Sequence, residues 1–317
     1  MEVPQVCRGE QMEQVIPGSQ IRADSRQDTY TLEAWQQAGK WFSYDGHAIF
    51  SRMAGKGSPL VLLHGFPTAS WDWSRLWPML ASGHQLLAVD MLGFGFSDKP
   101  RNYVYSIEDQ ADLIQGWIEG LGLDSVHLFA HDYGCSVAQE LLARDQEGSL
   151  PFAINSVCLL NGGLFPEVHS PLFIQKVLKS PLGGLISRGL TRGSFERNFR
   201  RLFGDRNPLA QQDLEDFWHL LTYNNGRGIL HELIQFMEER RCHRNRWVGA
   251  LQNAQQPMRL ISGAADPVSG AATVRRYREL IRNPDVISLR NIGHYPHFES
   301  PWDVFSAYRD FRAGLES

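Results

Sequence analysis

A carboxylate stands at a sharp junction between a strand and a helix in the segment VHLFAHDYGCSV, residues 126–137. Apolar residues lead into Asp132, a helical pattern begins at Tyr133, and the small residues Ala130 and Gly134 stand on either side. Such a junction needs small neighbours, because the side chain at its apex is forced outward and the flanking chains crowd together. The pattern therefore predicts that Asp132 projects into solvent or a pocket, where it can act as a nucleophile. An aspartate that only caps the following helix is the alternative interpretation.

Two later residues can complete a catalytic set with Asp132, in the chain order nucleophile, acid, histidine. Asp266 ends the apolar run MRLISGAAD, and His294 directly follows VISLRNIG. We expect Asp266 to orient His294, and His294 to act as the general base. The alternatives are His297 as the base and, as the acid, Glu167 or Asn161 after the preceding strand.

The apolar run PLVLL is followed by His64-Gly65-Phe66-Pro67, a loop that can bring backbone donors to the nucleophile. The N–H of Phe66, together with that of Tyr133, can converge on an oxyanion at Asp132. We therefore expect these two amides to form an oxyanion hole. His64 is expected to be a structural hydrogen-bonding residue rather than a catalyst.

A carboxylate nucleophile indicates attack on a saturated carbon, because attack on a carbonyl would give a reactive anhydride with little advantage. Displacement of a leaving group at a saturated carbon leaves an alkyl ester on Asp132. Water activated by His294 then hydrolyses that ester, and the oxyanion hole stabilises the tetrahedral intermediate. The expected reaction is cleavage of a carbon–oxygen or carbon–halogen bond, with no metal and no cofactor.

Short apolar runs alternate with helical patterns along most of the chain, which is typical of an α/β fold with a mostly parallel, doubly wound sheet. Asp45-Gly46 predicts a tight turn between the first two strands, and Ser106 is expected to cap a helix. The alternation of apolar runs and helical patterns stops after Gly163 and resumes at Met258. This predicts a helical cap inserted after the sixth main strand. The predicted segments are a loosely packed or surface-helical lead-in at 1–37, core segments at 38–164 and 251–317, and the cap at 165–250.

Composition limits the classes of partner. The 317 residues are 43% hydrophobic and 21% charged with a formal charge of −4, which is typical of a globular protein and gives no general reason to expect nucleic acid. The cap carries eleven arginines and two lysines against nine acids. Its positive charge is interpreted either as solvated helical faces or as attraction for an anionic substrate or a membrane surface.

Cysteine spacing and hydropathy bear on the compartment. No stretch approaches the roughly 18 consecutive apolar residues of a membrane span, and the first thirty residues lack the apolar centre of a signal peptide, which predicts a cytoplasmic location. The cysteines match neither a disulfide framework nor a metal-ligand pattern, so we expect free thiols. They are Cys7, Cys135, Cys158 and Cys242.

Four strings, HGFP, LGFGFSDKP, HDYG and GHYPHFESP, resemble the α/β-hydrolase superfamily, in the branch that holds epoxide hydrolases and haloalkane dehalogenases. The resemblance covers about residues 38–315. It implies a hydrolase with an Asp-His-Asp triad, acting on a small apolar or amphipathic organic substrate. Some members associate with membranes through a hydrophobic amino-terminal segment that this sequence lacks, so membrane association is implied by resemblance alone.

Two departures from that branch bear on the reaction. Dehalogenases usually hold the departing halide with a tryptophan and an asparagine, at the places where this chain has Tyr133 and Phe66. Epoxide hydrolases usually protonate the epoxide oxygen with two cap tyrosines, whereas Tyr223 is the only tyrosine between residues 165 and 250. The leading expectation is an epoxide hydrolase-like enzyme with Tyr223 as the candidate cap acid. The alternatives are a haloalkane dehalogenase-like hydrolase and a catalytically inactive interaction protein.

Overall fold

A computed structural model describes the chain at residues 15–17, 30–205 and 207–315. Its strands are β1 (Val15–Pro17), β2 (Lys40–Tyr44), β3 (His47–Ala54), β4 (Ser58–Leu63), β5 (His84–Val89), β6 (Ser125–His131), β7 (Ala153–Leu160), β8 (Met258–Gly263) and β9 (Asp285–Arg290). Its helices are α1 (Leu32–Gln37), α2 (Trp77–Ala81), α3 (Ile107–Gly120), α4 (Tyr133–Gln146), α5 (Phe173–Leu178), α6 (Gly183–Gly189), α7 (Arg192–Arg200), α8 (Gln211–Thr222), α9 (Leu230–Leu233), α10 (Phe236–Cys242), α11 (Arg244–Asn253), α12 (Ala271–Leu280), α13 (Pro296–Glu299) and α14 (Pro301–Ala313).

One sheet contains all nine strands, in the order β1-β9-β8-β7-β6-β4-β5-β3-β2. The strands are parallel from β1 across to β5, and β3 pairs antiparallel with both β5 and β2. The central strand β6 is buried along almost its whole length, because helices cover both faces of the sheet. The mostly parallel, doubly wound sheet predicted from the apolar runs is confirmed.

Two short sequence patterns adopt the local structures predicted for them. Tyr44 pairs with His47 across a two-residue turn, and the positive φ of Asp45 (47°) and Gly46 (79°) is the backbone that such a turn needs. Ser106 caps α3, since its side-chain oxygen accepts a hydrogen bond from the amide of Asp109 over 3.0 Å.

Seven helices, α5 to α11, lie between β7 and β8 and form the cap, after the sixth main strand when β2 is counted as the first. Its last helix is fixed to α4 through Glu140, a buried residue whose carboxylate accepts hydrogen bonds from Trp247 (2.8 Å) and Arg246 (2.7 Å). Because α4 begins immediately after Asp132, the cap is anchored to the helix that carries the candidate nucleophile.

The lead-in is more tightly attached to the core than the sequence predicted. Strand β1 extends the sheet by pairing with β9, an element that its polar surroundings did not indicate. Helix α1 is held by Trp35, which is fully buried and packs edge-on against Trp71 and Trp77. The rest of the lead-in, including Cys7, lies outside the described residues.

Cys135, Cys158 and Cys242 are free thiols, as predicted. Among the helices that the structure describes, none combines the length and the hydropathy needed to cross a bilayer.

Candidate active site

Asp132 occupies a strained turn between β6 and α4. Its backbone has φ 41° and ψ −101°, outside the regions that residues with a side chain ordinarily adopt. A Cβ on Gly134 would stand 2.5 Å from the carbonyl oxygen of Leu63, so the turn requires the glycine that follows it. The side chain of Asp132 makes no capping hydrogen bond to α4. The structure therefore gives no support to Asp132 as a helix cap and directs its carboxylate away from the helix.

His294 lies between the carboxylates of Asp132 and Asp266. Its Nδ1 is 2.9 Å from Oδ2 of Asp266, and its Nε2 is 3.9 Å from Oδ2 of Asp132. All three residues are buried. The loops after β8 and β9 thus bring the predicted acid and base to the predicted nucleophile.

The alternative base, His297, faces away from this group. It is fully buried, and its ring packs against Trp73 and His131 with centroid distances of 4.5 Å in both cases. His131 in turn contacts the catalytic loop, because its Nε2 lies 2.8 Å from the carbonyl oxygen of His294. His297 therefore belongs to the packing behind the nucleophile.

Asp266 is held by three neighbours in addition to His294. The amide of Val268, the hydroxyl of Ser269 and the side-chain amide of Asn161 each donate a hydrogen bond to its carboxylate over 2.7 Å. Burial alone would raise the pKa of Asp266, but His294 and these donors lower it, so the group is a carboxylate.

The alternative acids have other roles. Asn161, after β7, supports Asp266. Glu167 lies at the surface in ion pairs with Arg244 (2.7 Å) and Arg276 (3.1 Å).

The charges of Asp132, His294 and Asp266 depend on one another. Burial alone would lower the pKa of His294, but the two carboxylates beside it raise that pKa to about 10. Burial alone would raise the pKa of Asp132, yet His294 and the positive charge of Arg240 hold it well below its usual range. The resting site is therefore an imidazolium between two carboxylates.

One backbone donor contacts the candidate nucleophile in the loop where the sequence predicted part of an oxyanion hole. The amide of Phe66 donates to Oδ2 of Asp132 over 3.2 Å. The amide of Tyr133 is the first of α4 and has no carbonyl partner within that helix. Gly65 permits the approach, because a Cβ there would lie 2.6 Å from Nδ1 of His131. The amide of Phe66 is therefore positioned as an oxyanion donor, and the role of the Tyr133 amide stays a prediction.

His64 is a structural residue, as expected. It is fully buried, its Nδ1 lies 2.8 Å from the carbonyl of Gly65, and its Nε2 accepts from the amide of Met91 over 3.1 Å. These contacts tie the loop after β4 to the loop after β5.

One group of possible metal ligands occurs among the described residues. Ligand atoms of Asp72, His131 and His297 lie within 4.8 Å of one another, fully buried behind the nucleophile. Oδ2 of Asp72 already accepts a hydrogen bond from Thr68 over 2.6 Å. None of the three belongs to the predicted catalytic set of Asp132, His294 and Asp266.

An apolar cleft between cap and core reaches His294. The cleft is partly open to solvent. Phe66, Pro67 and Val268 belong to its core side. The cap contributes Leu172, Ile174, Gln175, Leu178, Leu190, Phe195, Asn198, Phe199, Leu202, Leu221 and Leu230.

Tyr223, the candidate cap acid, is not among the residues that line this cleft. Its ring packs edge-on against Phe96 at a centroid distance of 5.2 Å, with Nζ of Lys99 5.3 Å from the ring centre. The structure therefore places Tyr223 against Phe96 and outside the lining of the cleft.

Arg240 is the cap residue that reaches the candidate nucleophile, and it is not among the site residues predicted from the sequence. Its Nη2 donates to the carbonyl oxygen of Asp132 over 2.9 Å and lies 3.5 Å from Oδ1 of the same residue. A signal was present: Arg240 follows Phe236 by four positions, so the two share one face of α10, and that face is buried. An arginine on an apolar helix face is unusual unless it is paired.

The mostly parallel sheet, the strained strand-to-helix turn at Asp132 and the helices inserted between β7 and β8 are the architecture of the α/β-hydrolase fold. The chain belongs to this family: the model of the alpha/beta hydrolase fold matches residues 58–301. Its sequence is similar to the mesoderm-specific transcript homolog protein of Bos taurus, with 42% identity over 88% of this chain and 87% of the relative.

Solved structures agree on the fold. Haloalkane dehalogenase DbeA from Bradyrhizobium elkani matches with a TM-score of 0.75 and 21% identity over 88% of this chain and 98% of its own. Epoxide hydrolase CorEH matches with a TM-score of 0.72 and 20% identity over 87% of this chain and 99% of its own. At these identities the likeness establishes the fold alone.

Proposed function

We propose that this hydrolase is epoxide hydrolase-like and works through a covalent alkyl ester on Asp132. The proposal rests on the contacts of one carboxylate oxygen. Oδ2 of Asp132 accepts a hydrogen bond from the amide of Phe66 (3.2 Å) and lies 3.9 Å from Nε2 of His294. That oxygen sits where the ester carbonyl must be activated, which leaves Oδ1 to attack the substrate. The chemistry of this arrangement is displacement at a saturated carbon followed by hydrolysis.

The charges of the triad suit two successive steps. In the first, Oδ1 of Asp132 forms a bond to a ring carbon, the carbon–oxygen bond of the epoxide breaks, and the oxygen keeps the electron pair. Esterification removes one of the two carboxylate charges that raise the pKa of His294, so the imidazolium can release its proton to the new alkoxide. In the second step neutral His294 takes a proton from water, which attacks the ester carbonyl and frees the diol.

The cleft supports an apolar or amphipathic substrate. Its cap wall is almost entirely leucine, isoleucine and phenylalanine, and a ligand there would gain about 25 cal/mol for each Å² of apolar surface removed from water. The similar structures named above include an epoxide hydrolase and a haloalkane dehalogenase. Dehalogenation is supported less well, because the ring of Tyr133 is buried between Phe94 and Phe236 and offers a halide no N–H donor.

Trapping the ester tests the proposal. The His294→Gln variant, incubated with a panel of epoxides, haloalkanes and esters, is expected to accumulate an adduct on Asp132 with at least one epoxide. Ester formation should be slower than in wild type, because the alkoxide must take its proton from water, but ester hydrolysis should stop because it needs the base. Peptide mass spectrometry locates the adduct, and Asp132→Asn is the matched control that cannot form it. An adduct with haloalkanes alone would change the substrate class. Turnover by the unaltered enzyme of a substrate that never labels Asp132 would rule out the covalent route.

We also propose that the cap contacts anionic membrane surfaces. Phe173, Leu182 and Leu185 are 80%, 61% and 69% exposed, and residues 168–191 contain two lysines and one arginine but no acid. Exposed apolar side chains flanked by basic ones suit an interface of anionic lipid. Wild type is expected to float with phosphatidylserine vesicles, and a variant with serine at the three positions is expected not to. Equal flotation of both proteins would contradict this.

A further inference from the structure

The cleft between cap and core presents few polar side chains to a ligand. Twelve of the fifteen described residues that line it are apolar, and the other three are His294, Gln175 and Asn198. None of the fifteen is a lysine, an arginine, an aspartate or a glutamate. Apolar sites usually orient a ligand through a small number of placed polar groups. Gln175 and Asn198 are therefore the cap residues that can recognise a polar part of the substrate.

Gln175 offers the cleft a hydrogen-bond donor. It lies in α5 three positions before Leu178, so the two residues share the helix face that lines the cleft. Its Oε1 accepts a hydrogen bond from the backbone amide of Leu172 over 2.8 Å. Only the oxygen of a side-chain amide can accept that bond, which fixes the orientation of the group and leaves Nε2 to donate to a ligand.

Asn198 offers the complementary acceptor. It lies in α7 three positions after Phe195 and one before Phe199, and all three residues line the cleft. Its Nδ2 donates a hydrogen bond to the backbone carbonyl of Ser194 over 2.8 Å. This bond orients the amide by its nitrogen, so Oδ1 is the atom left to accept from a ligand.

One free donor and one free acceptor in an apolar cleft select the kind of group that a ligand can place there. A hydroxyl matches both, because it donates one hydrogen bond and accepts others. An ether or a carboxylate has no proton to donate, and an ammonium has no lone pair with which to accept. An ionised group would also lose its hydration among the apolar side chains that form most of the wall.

We propose that Gln175 and Asn198 form a subsite for a neutral hydroxyl group, and that the substrate is an alkyl epoxide with a hydroxyl away from the epoxide ring. The inference rests on the proposed function and deepens it, because it names the substrate class of the same cleft. The alkyl part packs against the leucines and phenylalanines of the cap wall. The hydroxyl accepts from Nε2 of Gln175 and donates to Oδ1 of Asn198.

Two unreactive probes test the subsite without any chemistry. Octan-1-ol can donate and accept, whereas its methyl ether, 1-methoxyoctane, can only accept. Isothermal titration calorimetry gives the affinity of each probe for wild type and for two variants. Asn198→Leu keeps a side chain of similar size and loses the acceptor. Gln175→Glu keeps an oxygen that can accept from the amide of Leu172 and loses the donor.

The two variants should affect the two probes differently. Asn198→Leu should lower the affinity for octan-1-ol relative to the ether by about two- to tenfold, the effect of one hydrogen bond. Gln175→Glu should weaken binding of the ether by a similar factor, because a carboxylate cannot donate to it. Gln252→Glu is the matched control, since Gln252 is exposed on α11 and should leave both affinities unchanged. An unchanged alcohol-to-ether ratio in Asn198→Leu, or an unchanged ether affinity in Gln175→Glu, would overturn the proposal.

Turnover tests the substrate class. Wild type should show a higher kcat/KM for at least one terminal epoxyalkan-1-ol, in a series of increasing chain length, than for the epoxyalkane of the same length. Asn198→Leu and Gln175→Glu should each reduce this preference by about two- to tenfold. A wild-type preference for the plain epoxyalkane at every length would overturn the substrate class. If wild type forms no ester with any epoxide, the proposed function fails, while the binding of octan-1-ol and its ether still decides on the subsite.

Discussion

Asn161 donates its side-chain amide to Oδ2 of Asp266 over 2.7 Å, and the same oxygen lies 2.9 Å from Nδ1 of His294. The residue after β7 therefore positions the acid that follows β8. Asn161 also fixes the start of the loop after β8, since its Oδ1 accepts from the amide of Gly263 over 2.7 Å. The orientation of His294 thus depends on residues that follow two strands. Asp266 after β8 supplies the carboxylate, and Asn161 after β7 holds that carboxylate in place.

Asp266→Asn should lower kcat by about 10⁴, because the asparagine cannot hold the imidazole tautomer or stabilise the imidazolium. Glu167→Gln should leave kcat within about threefold, because Glu167 pairs with Arg244 and Arg276 at the surface. Steady-state kinetics of both variants on one substrate compare the two residues. A larger loss for Glu167→Gln would transfer the acid role to that residue.

Glu299 should make stability depend on pH near neutrality. Its buried carboxylate accepts from the amides of Gly204 in the cap and Gly293 beside His294, and burial raises its pKa to about 7. The folded state then binds more protons than the unfolded state, so the contribution is fully present below pH 4 and is lost as pH rises through 7. The loss amounts to about 3 kcal/mol at most.

Urea unfolding at pH 5 and pH 8 measures this effect. Glu299→Gln removes the titrating group, so the free energy of unfolding of the variant, relative to wild type, should increase from pH 5 to pH 8. The exposed Glu119→Gln is the control and should show no such change. A constant difference between Glu299→Gln and wild type would show that Glu299 does not titrate in this range.

Tyr223→Phe should change the rate of ester formation by less than about twofold. The hydroxyl belongs to a ring that packs on Phe96 away from the cleft, so its removal takes no proton donor from the leaving oxygen. A general acid, by contrast, contributes about 10²–10⁴-fold. Rapid-quench measurement of adduct formation decides between these values, and a loss of a hundredfold or more would restore Tyr223 as the acid.

The sequence was sufficient for the features that local chemistry determines. Asp132, between small residues at the end of an apolar run, was identifiable because the junction tolerates little else, and His294 and Asp266 followed from chain order. The turn at Asp45 and the cap at Ser106 depend on residues a few positions apart, and both formed as predicted.

Contacts between segments that are distant in the chain could not be predicted from the sequence. Arg240 reaches Asp132 across 108 positions because α10 packs over the start of α4. A charge count of the whole cap gives no individual role to any one of its arginines. Tyr223 was chosen because the cap has no other tyrosine, yet side-chain direction in a cap depends on helix packing that a turn signal does not specify. Strand β1 lacks apolar alternation, so only its pairing with β9 identifies it.

The covalent role of Asp132 is tested most directly by one single turnover in heavy-oxygen water. Water attacks the ester carbonyl, so the label should enter the carboxylate of Asp132, and peptide mass spectrometry should find it there, while the first diol released carries oxygen from the enzyme. Label in the diol with none in Asp132 would show that water attacks the substrate directly and would contradict the account.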